Sequence, residues 1–199
     1  MLKAELRKQL RALRQELSAD TRRAAANTAA RLFIATTFFQ KAAKVACYWA
    51  QPEEMDTLPL IQALWAAGKH CYLPVMLAKG PLEFALYKKG DTLQANRYGV
   101  LEPQTEAARI AAAELDLVIL PLVAFDAQGN RLGMGGGSYD RSFEFLLQQK
   151  ERKPLLVGLA YRLQEVAEVP RESFDVPLAA VLTEFEFRLL GSNRGTAIK

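Results

Sequence analysis

An almost unbroken apolar run at residues 115–125 (LDLVILPLVAF) leads into a loop holding five of the chain's 12 glycines, and then into a helical stretch. Apolar side chains at nearly every position, without polar alternation, suit a strand covered on both faces. The run therefore predicts a central strand buried between two layers. The rest of the chain alternates around it. Residues 20–39 read as a helix with Asp20 as its N-cap. Residues 58–67 read as another, stopped by Gly68. The Ala-rich stretch 105–114 and residues 139–150 also read as helices, and 44–50, 69–76, 82–88, 154–161 and 178–183 as strands. This alternation predicts an α/β fold: a three-layer sandwich with a mainly parallel central sheet flanked by helices. With no repeat, low-complexity segment or long linker, the 199 residues are expected to form a single domain, 1–199.

Half of the residues are hydrophobic and 24% are charged, which excludes a largely disordered chain. A chain of this length buries roughly 70% of its unfolded surface and needs no disulfide or metal staple. The net charge of +4 is unevenly spread. Residues 1–31 carry eight basic and three acidic side chains, a charge of +5, while the rest carry 18 basic and 19 acidic ones, a charge of −1. Within that segment Leu2, Leu6, Leu10, Leu13 and Leu17 recur at helical spacing, predicting an amphipathic helix with a basic outer face. Lys3, Arg7, Arg11 and Arg14 form one cationic stripe on it. The stripe is either a solvated helix face or, in part, a contact to an anionic ligand. The later arginines are expected in solvent.

No apolar stretch approaches 18 residues, and residues 1–31 lack the apolar core of a signal peptide. Glu5, within the first turns, argues against a mitochondrial presequence, so a cytoplasmic protein is expected. Cys47 and Cys71 lie in apolar runs and read as buried thiols of a reducing compartment. His70 is the single histidine and sits in a strand-like run, where a structural role is expected. Histidine-dependent triads and zinc sites lose their basis. Carboxylates, Lys and Arg, backbone amides and a bound cation remain.

The glycine loop, Gly129-Asn130-Arg131-Leu132-Gly133-Met134-Gly135-Gly136-Gly137-Ser138-Tyr139-Asp140-Arg141, lies where open α/β sheets place ligands, beyond the carboxyl end of a strand. Residues without Cβ let a ligand approach the backbone, and the following helix presents free N–H groups suited to phosphate. The loop matches neither the P-loop nor the usual dinucleotide pattern. A phosphate-binding loop and a tight turn packing helix on strand both fit.

The segment RLGMGGGSYDR, preceded by Ala124-Phe125-Asp126, closely resembles the signature of the 5-formyltetrahydrofolate cyclo-ligase (5,10-methenyltetrahydrofolate synthetase) family. The resemblance extends through Lys3-x-x-x-Arg7, Glu54-Met55-Asp56-Thr57, residues 68–74, residues 98–103 and the tail Phe174-Asp175-Val176-Pro177-Leu178. It implies an enzyme that turns 5-formyltetrahydrofolate and ATP into 5,10-methenyltetrahydrofolate, ADP and phosphate with Mg²⁺. ATP phosphorylates the formyl oxygen and N10 of the folate then attacks. Such phosphoryl transfer relies on positioning and charge stabilisation, which need no histidine.

Carried over by resemblance, Lys3 and Arg7 hold ATP phosphates. Arg131, Leu132, Gly133, Met134, Gly135, Gly136, Gly137, Ser138 and Tyr139 wrap the nucleotide. Met134 to Ser138 also meet the substrate, and Arg131, Gly135, Gly137 and Tyr139 stand at the reacting group. Glu54 binds the pterin, while Asp140 and Asp175 serve Mg²⁺. Two positions depart from the family's habit: Ser138 stands where an aromatic is common, and Phe174 where histidine is common. The expected partners are small molecules only, for a monomer without nucleic acid or membrane. The competing reading is a non-enzymatic nucleotide- or nucleic-acid-binding module using the basic helix. Against it, the stripe lacks interleaved aromatics.

Overall fold

The structure is a computed structural model and describes residues 2–77, 80–97, 99–104, 106–149 and 153–191. In chain order it contains α1 (Lys3–Gln15), α2 (Ala19–Ile34), α3 (Thr37–Lys41), β1 (Lys44–Ala46), α4 (Leu58–Ala66), β2 (His70–Val75), β3 (Glu83–Leu86), β4 (Leu93–Ala95), β5 (Leu101–Pro103) and β6 (Arg109–Ile110). There follow β7 (Leu117–Pro121), β8 (Ala124–Phe125), β9 (Arg131–Leu132), α5 (Ser138–Phe143), β10 (Leu155–Leu159), β11 (Ala180–Leu182) and β12 (Phe187–Leu189). Eight strands form one sheet in the order β12-β11-β10-β7-β1-β2-β3-β6. β11, β10, β7, β1 and β2 run parallel; β12 and β3 run against them at the two sides, and β6 pairs antiparallel with β3 at the outer edge.

The apolar run is legible in this architecture. Leu117 and Ile119 of β7 pack with α2 and α4, and Val118 and Leu120 pack on the opposite face with Phe143 and Leu146. Strand alternation thus feeds two cores, one per face, as the three-layer expectation requires. A third cluster joins Leu6 and Leu10 of α1 to Val123, Ala124 and Leu132 of the β8–β9 hairpin. Among the described residues no helix is long and apolar enough to cross a membrane.

Several expectations need correction. The helix expected at 20–39 is two helices. Ser18, not Asp20, accepts a hydrogen bond from Thr21 N (3.1 Å) and caps α2, and Thr36 caps α3 through Phe39 N (3.1 Å). Hydroxyls that accept from the next turn's amide start helices, and Thr36 restarts one. The Ala-rich stretch is not an α-helix in its described part. It holds β6 and a 3-10 turn at Ala112–Glu114, so pairing with β3 overrides alanine's helix propensity. The run 115–125 breaks after Pro121, because β8 turns away to form the hairpin with β9. The helix expected at 139–150 is α5 followed by a 3-10 stretch, Glu144–Leu147; Lys150, like Tyr98 and Thr105 above, lies outside the described residues.

From β1 the chain moves to β2, β3 and β6 on one side, then returns to place β7, β10 and β11 on the other. Strand order therefore reverses between β1 and β7. In an open α/β sheet the crevice above such a reversal, at the carboxyl ends of the strands, is the ligand site.

Candidate functional site

A cavity of about 410 Å³ occupies that crevice. Its walls come from three directions. The segment after β1 supplies Tyr48, Trp49, Gln51 and Glu54; the glycine loop supplies Arg131 to Asp140; α1 supplies Lys3 and Arg7. Phe174 and Asp175 complete the mouth. The structure thus brings to one cavity every residue expected to bind ATP, folate or Mg²⁺, although they span the chain from Lys3 to Asp175.

The glycine loop is shaped by backbone that few other residues adopt. Gly135 has φ +103° and Gly137, at the N-cap of α5, has φ +63°. Arg7 lies against this loop. Its Nε donates to the Gly133 carbonyl at 2.8 Å, and a Cβ on Gly135 would stand 3.6 Å from its Nη2. Among the described residues its Nη1 and Nη2 have no hydrogen-bond partner. Lys3 sits nearby, with Nζ 3.4 Å from Glu172 Oε1 and 3.6 Å from Asp175 Oδ2.

Arg131 and Asp140 close the loop at its two ends. Arg131 Nη2 donates to Asp140 Oδ1 at 2.7 Å, and Nη1 donates to the Val176 carbonyl. Asp140 Oδ1 also accepts from Val176 N at 3.1 Å. Burial pulls the Arg131 pKa down from its usual value, while the charges of Asp140 and Asp175 oppose that shift. Asp175 in turn accepts from Glu172 N at 2.8 Å. Asp140 and Asp175 are therefore neighbours beside one guanidinium. Leu132 is buried under α1, Met134 and Phe174 stand exposed at the mouth, and Ser138 Oγ accepts from Arg141 Nη2 at 3.4 Å.

Across the cavity, Glu54 Oε2 accepts from Gln51 N at 2.9 Å, and the Glu54 carbonyl accepts from Tyr161 OH at 3.2 Å. Burial raises the Glu54 pKa above the ordinary carboxyl value, against the opposing pull of the Gln51 amide and Arg14. Tyr48 and Tyr139 face the same carboxylate. Burial first, then the Glu54 charge, raises both phenols, so they stay protonated and can donate. Cys47, just below, is pushed up to about 12 by burial and is inert.

Tyr48, Trp49 and Gln51 were missed in the sequence. They follow a strand that ends after three residues, so the apolar run 44–50 hid the point where β1 stops and the cavity wall begins. The only available signal was their place at the carboxyl end of a strand. The expectation that the later arginines are solvated fails for Arg14, which is 1% exposed. The buried face of α1 is Leu6, Leu10 and Arg14, spaced i, i+4, i+8, and Leu13 is left partly exposed. That face is rotated toward the cations relative to the leucine pattern. Lys3, Arg7, Arg11 and Arg14 all meet protein groups instead of forming an outer row.

A family model described as the 5-formyltetrahydrofolate cyclo-ligase family matches residues 1–184. The 5-formyltetrahydrofolate cyclo-ligase of Haemophilus influenzae is 37% identical over 182 residues, covering 89% of this chain and 95% of that protein. The enzyme of the same name from Escherichia coli K12 is 42% identical over 142 residues, covering 70% and 76%. The NMR structure of Aquifex aeolicus 5,10-methenyltetrahydrofolate synthetase superposes with a TM-score of 0.80 at 32% identity, covering 96% of this chain and 93% of that one. Fold, cavity and sequence agree, and the chain belongs to the 5-formyltetrahydrofolate cyclo-ligase family.

Proposed function

We propose that this chain cyclises 5-formyltetrahydrofolate to 5,10-methenyltetrahydrofolate at the expense of ATP, with release of ADP and phosphate. The observation that carries the proposal is one cavity with two chemically distinct ends. One end has the open glycine loop with the unpartnered Nη groups of Arg7, and the other has the Glu54 carboxylate.

At the loop end, Arg7 and Lys3 bind the polyphosphate, each contact contributing ~1.5–3 kcal/mol as a charge-assisted hydrogen bond. Gly133 to Gly137 let phosphate oxygens approach the backbone amides. The donor set suits Mg²⁺, which takes one or two carboxylates together with phosphate and water oxygens. Asp140 and Asp175 are two carboxylates beside Arg131 and Lys3, so they would hold that ion against the phosphates. When bound, it supplies neutralisation of the charge on the transferred phosphoryl group.

At the other end, Glu54 accepts hydrogen bonds from the pterin N–H edge and fixes the formyl group toward the loop. The γ-phosphoryl group moves to the formyl oxygen and ADP leaves. N10 attacks the activated carbon, closing the ring, and loses its proton; the C–O bond then breaks, releasing phosphate and leaving the methenyl cation. Tyr139, a partly buried phenol that lines the cavity and stays protonated, is a donor for charge that develops on a reacting oxygen. Arg131 holds Asp140 in place. Burial of Arg14 and the ties of Lys3, Arg7 Nε and Arg11 to protein groups leave no solvated cationic row along α1, which favours this small-molecule reading over nucleic-acid binding. We read residues 1–199 as one domain acting as a monomer in the cytoplasm, a compartment suited to two free buried cysteines.

Mixing the folded protein with Mg-ATP and 5-formyltetrahydrofolate is expected to give an ATP-dependent rise in the near-ultraviolet absorbance of the methenyl product. A folded protein that gives no such rise refutes the proposal.

A further inference from the structure

Arg14 is a buried charged side chain that the proposed chemistry leaves unused and that the fold leaves partly unpaired. It lies in the last turn of α1 at 1% exposure. Its Nη1 donates to the Leu122 carbonyl at 3.3 Å, and its Nη2 stands 3.6 Å from Glu53 Oε1. Both Nε and Nη2 are buried without a hydrogen-bond partner among the described residues. Taking a guanidinium out of water and leaving it partly unpaired is unfavourable, and a methionine of similar length would pack there at no such cost. Stability therefore does not explain an arginine at this position.

Its neighbours do. Leu122 lines the cavity just past the end of β7, and its carbonyl also accepts from Gln164 Nε2 at 2.8 Å. Glu53 accepts from Arg11 Nη2 at 3.1 Å and directly precedes Glu54. One guanidinium thus spans from the end of β7 to the segment that carries the folate-side carboxylate. Arg7, in contrast, is held independently by Gly133.

We infer that Arg14 is a positioning residue for folate: bonded to Leu122 and facing Glu53, it sets where Glu54 presents its carboxylate in the cavity. This rests on the proposed role of Glu54. Glu54 is faced by Arg11 and Arg14 from α1, by Glu53 on its own segment, by Tyr48 after β1 and by Tyr139 of α5. Arg14 is the charged group among them that is almost completely withdrawn from solvent, so its field on Glu54 is little screened.

The test compares wild type, Arg14→Met and Glu53→Gln by direct titration with 5-formyltetrahydrofolate and, separately, with Mg-ADP, across pH. Arg14→Met is expected to fold and to weaken 5-formyltetrahydrofolate binding by about tenfold, the size of one lost charge-assisted contact. Mg-ADP affinity should stay within about threefold of wild type. The acid limb of the folate-binding profile should move to higher pH, because Glu54 loses a cation that favours its charged form. Unchanged folate affinity and pH limb, or equal losses for both ligands, overturn the inference. Should Arg14→Met fail to fold, Glu53→Gln decides: folate affinity and pH limb equal to wild type overturn it, and a selective folate loss supports it. Wild-type protein that does not bind 5-formyltetrahydrofolate at all refutes instead the function on which the inference rests.

Discussion

Replacing Asp140 by Asn separates a structural clasp from a metal ligand. Asp140 Oδ1 accepts from Arg131 Nη2 at 2.7 Å and from Val176 N at 3.1 Å, and the Arg131 side chain is 5% exposed. Removing one member of a buried ion pair costs ~3–5 kcal/mol, since the remaining charge stays desolvated. Asp140 itself is 23% exposed, and Asn keeps an acceptor for Val176 N–H, so about 2–3 kcal/mol is expected. For a chain of this length each kcal/mol moves Tm by roughly 2–4 °C, giving a fall of about 4–12 °C. The assay is thermal unfolding followed by circular dichroism in buffer with neither nucleotide nor Mg²⁺. Combining Asp140→Asn with Arg131→Met removes the orphaned guanidinium, so the double variant should lose less than the two single losses added together. An Asp140→Asn protein with wild-type Tm in that buffer, and a defect seen only with Mg-ATP, would show that the carboxylate does not clasp the loop.

Two further substitutions test the two ends of the cavity. Arg7→Ala should weaken Mg-ATP binding by roughly 10–100-fold and leave 5-formyltetrahydrofolate binding unchanged in calorimetric titrations; the opposite pattern refutes the allocation of α1 to nucleotide. Glu54→Gln should weaken folate binding yet stabilise the fold at neutral pH. Because burial raises the folded-state pKa of Glu54, the native chain holds this proton more tightly than the unfolded chain, and wild-type stability declines as pH rises through the window above the ordinary carboxyl value. The Tm advantage of Glu54→Gln should therefore be present at pH 7 and vanish in acid. A lower Tm for Glu54→Gln at pH 7 counts against the burial argument.

The sandwich was legible because burial on both faces of a sheet leaves a mark along the chain itself. Residues 115–125 carry that mark, and the strands at 69–76 and 154–161 are apolar runs that start just after Gly68 and at Pro154. The described part of 105–114 was misread for the complementary reason. Alanines favour a helix only while nothing stronger competes, and hydrogen bonds to β3 are stronger. The short edge strands β4, β5, β6 and β12 are two or three residues long, too short for a periodicity to show. Phe174, exposed at 60%, adjoins Asp175 in the chain, but its place at the cavity mouth beside the glycine loop depends on pairing between distant segments.

Arg14 and the glycine loop mark where sequence and tertiary structure divide the work. Sequence by itself determined the class of fold, the position of the loop between strand and helix, and the kinds of groups on hand for chemistry. These follow from local rules: alternation, chain punctuation and side-chain type. Tertiary structure decided which face of α1 turns inward, and hence that Arg7 meets Gly133 and Arg14 meets Leu122 and Glu53. It also decided that Asp140 completes a clasp with Arg131 and that Glu54 stands across the cavity from the loop. A helix's rotation about its axis depends on the surface it docks against, here the β8–β9 hairpin. That surface exists only after strands far apart in the chain have paired.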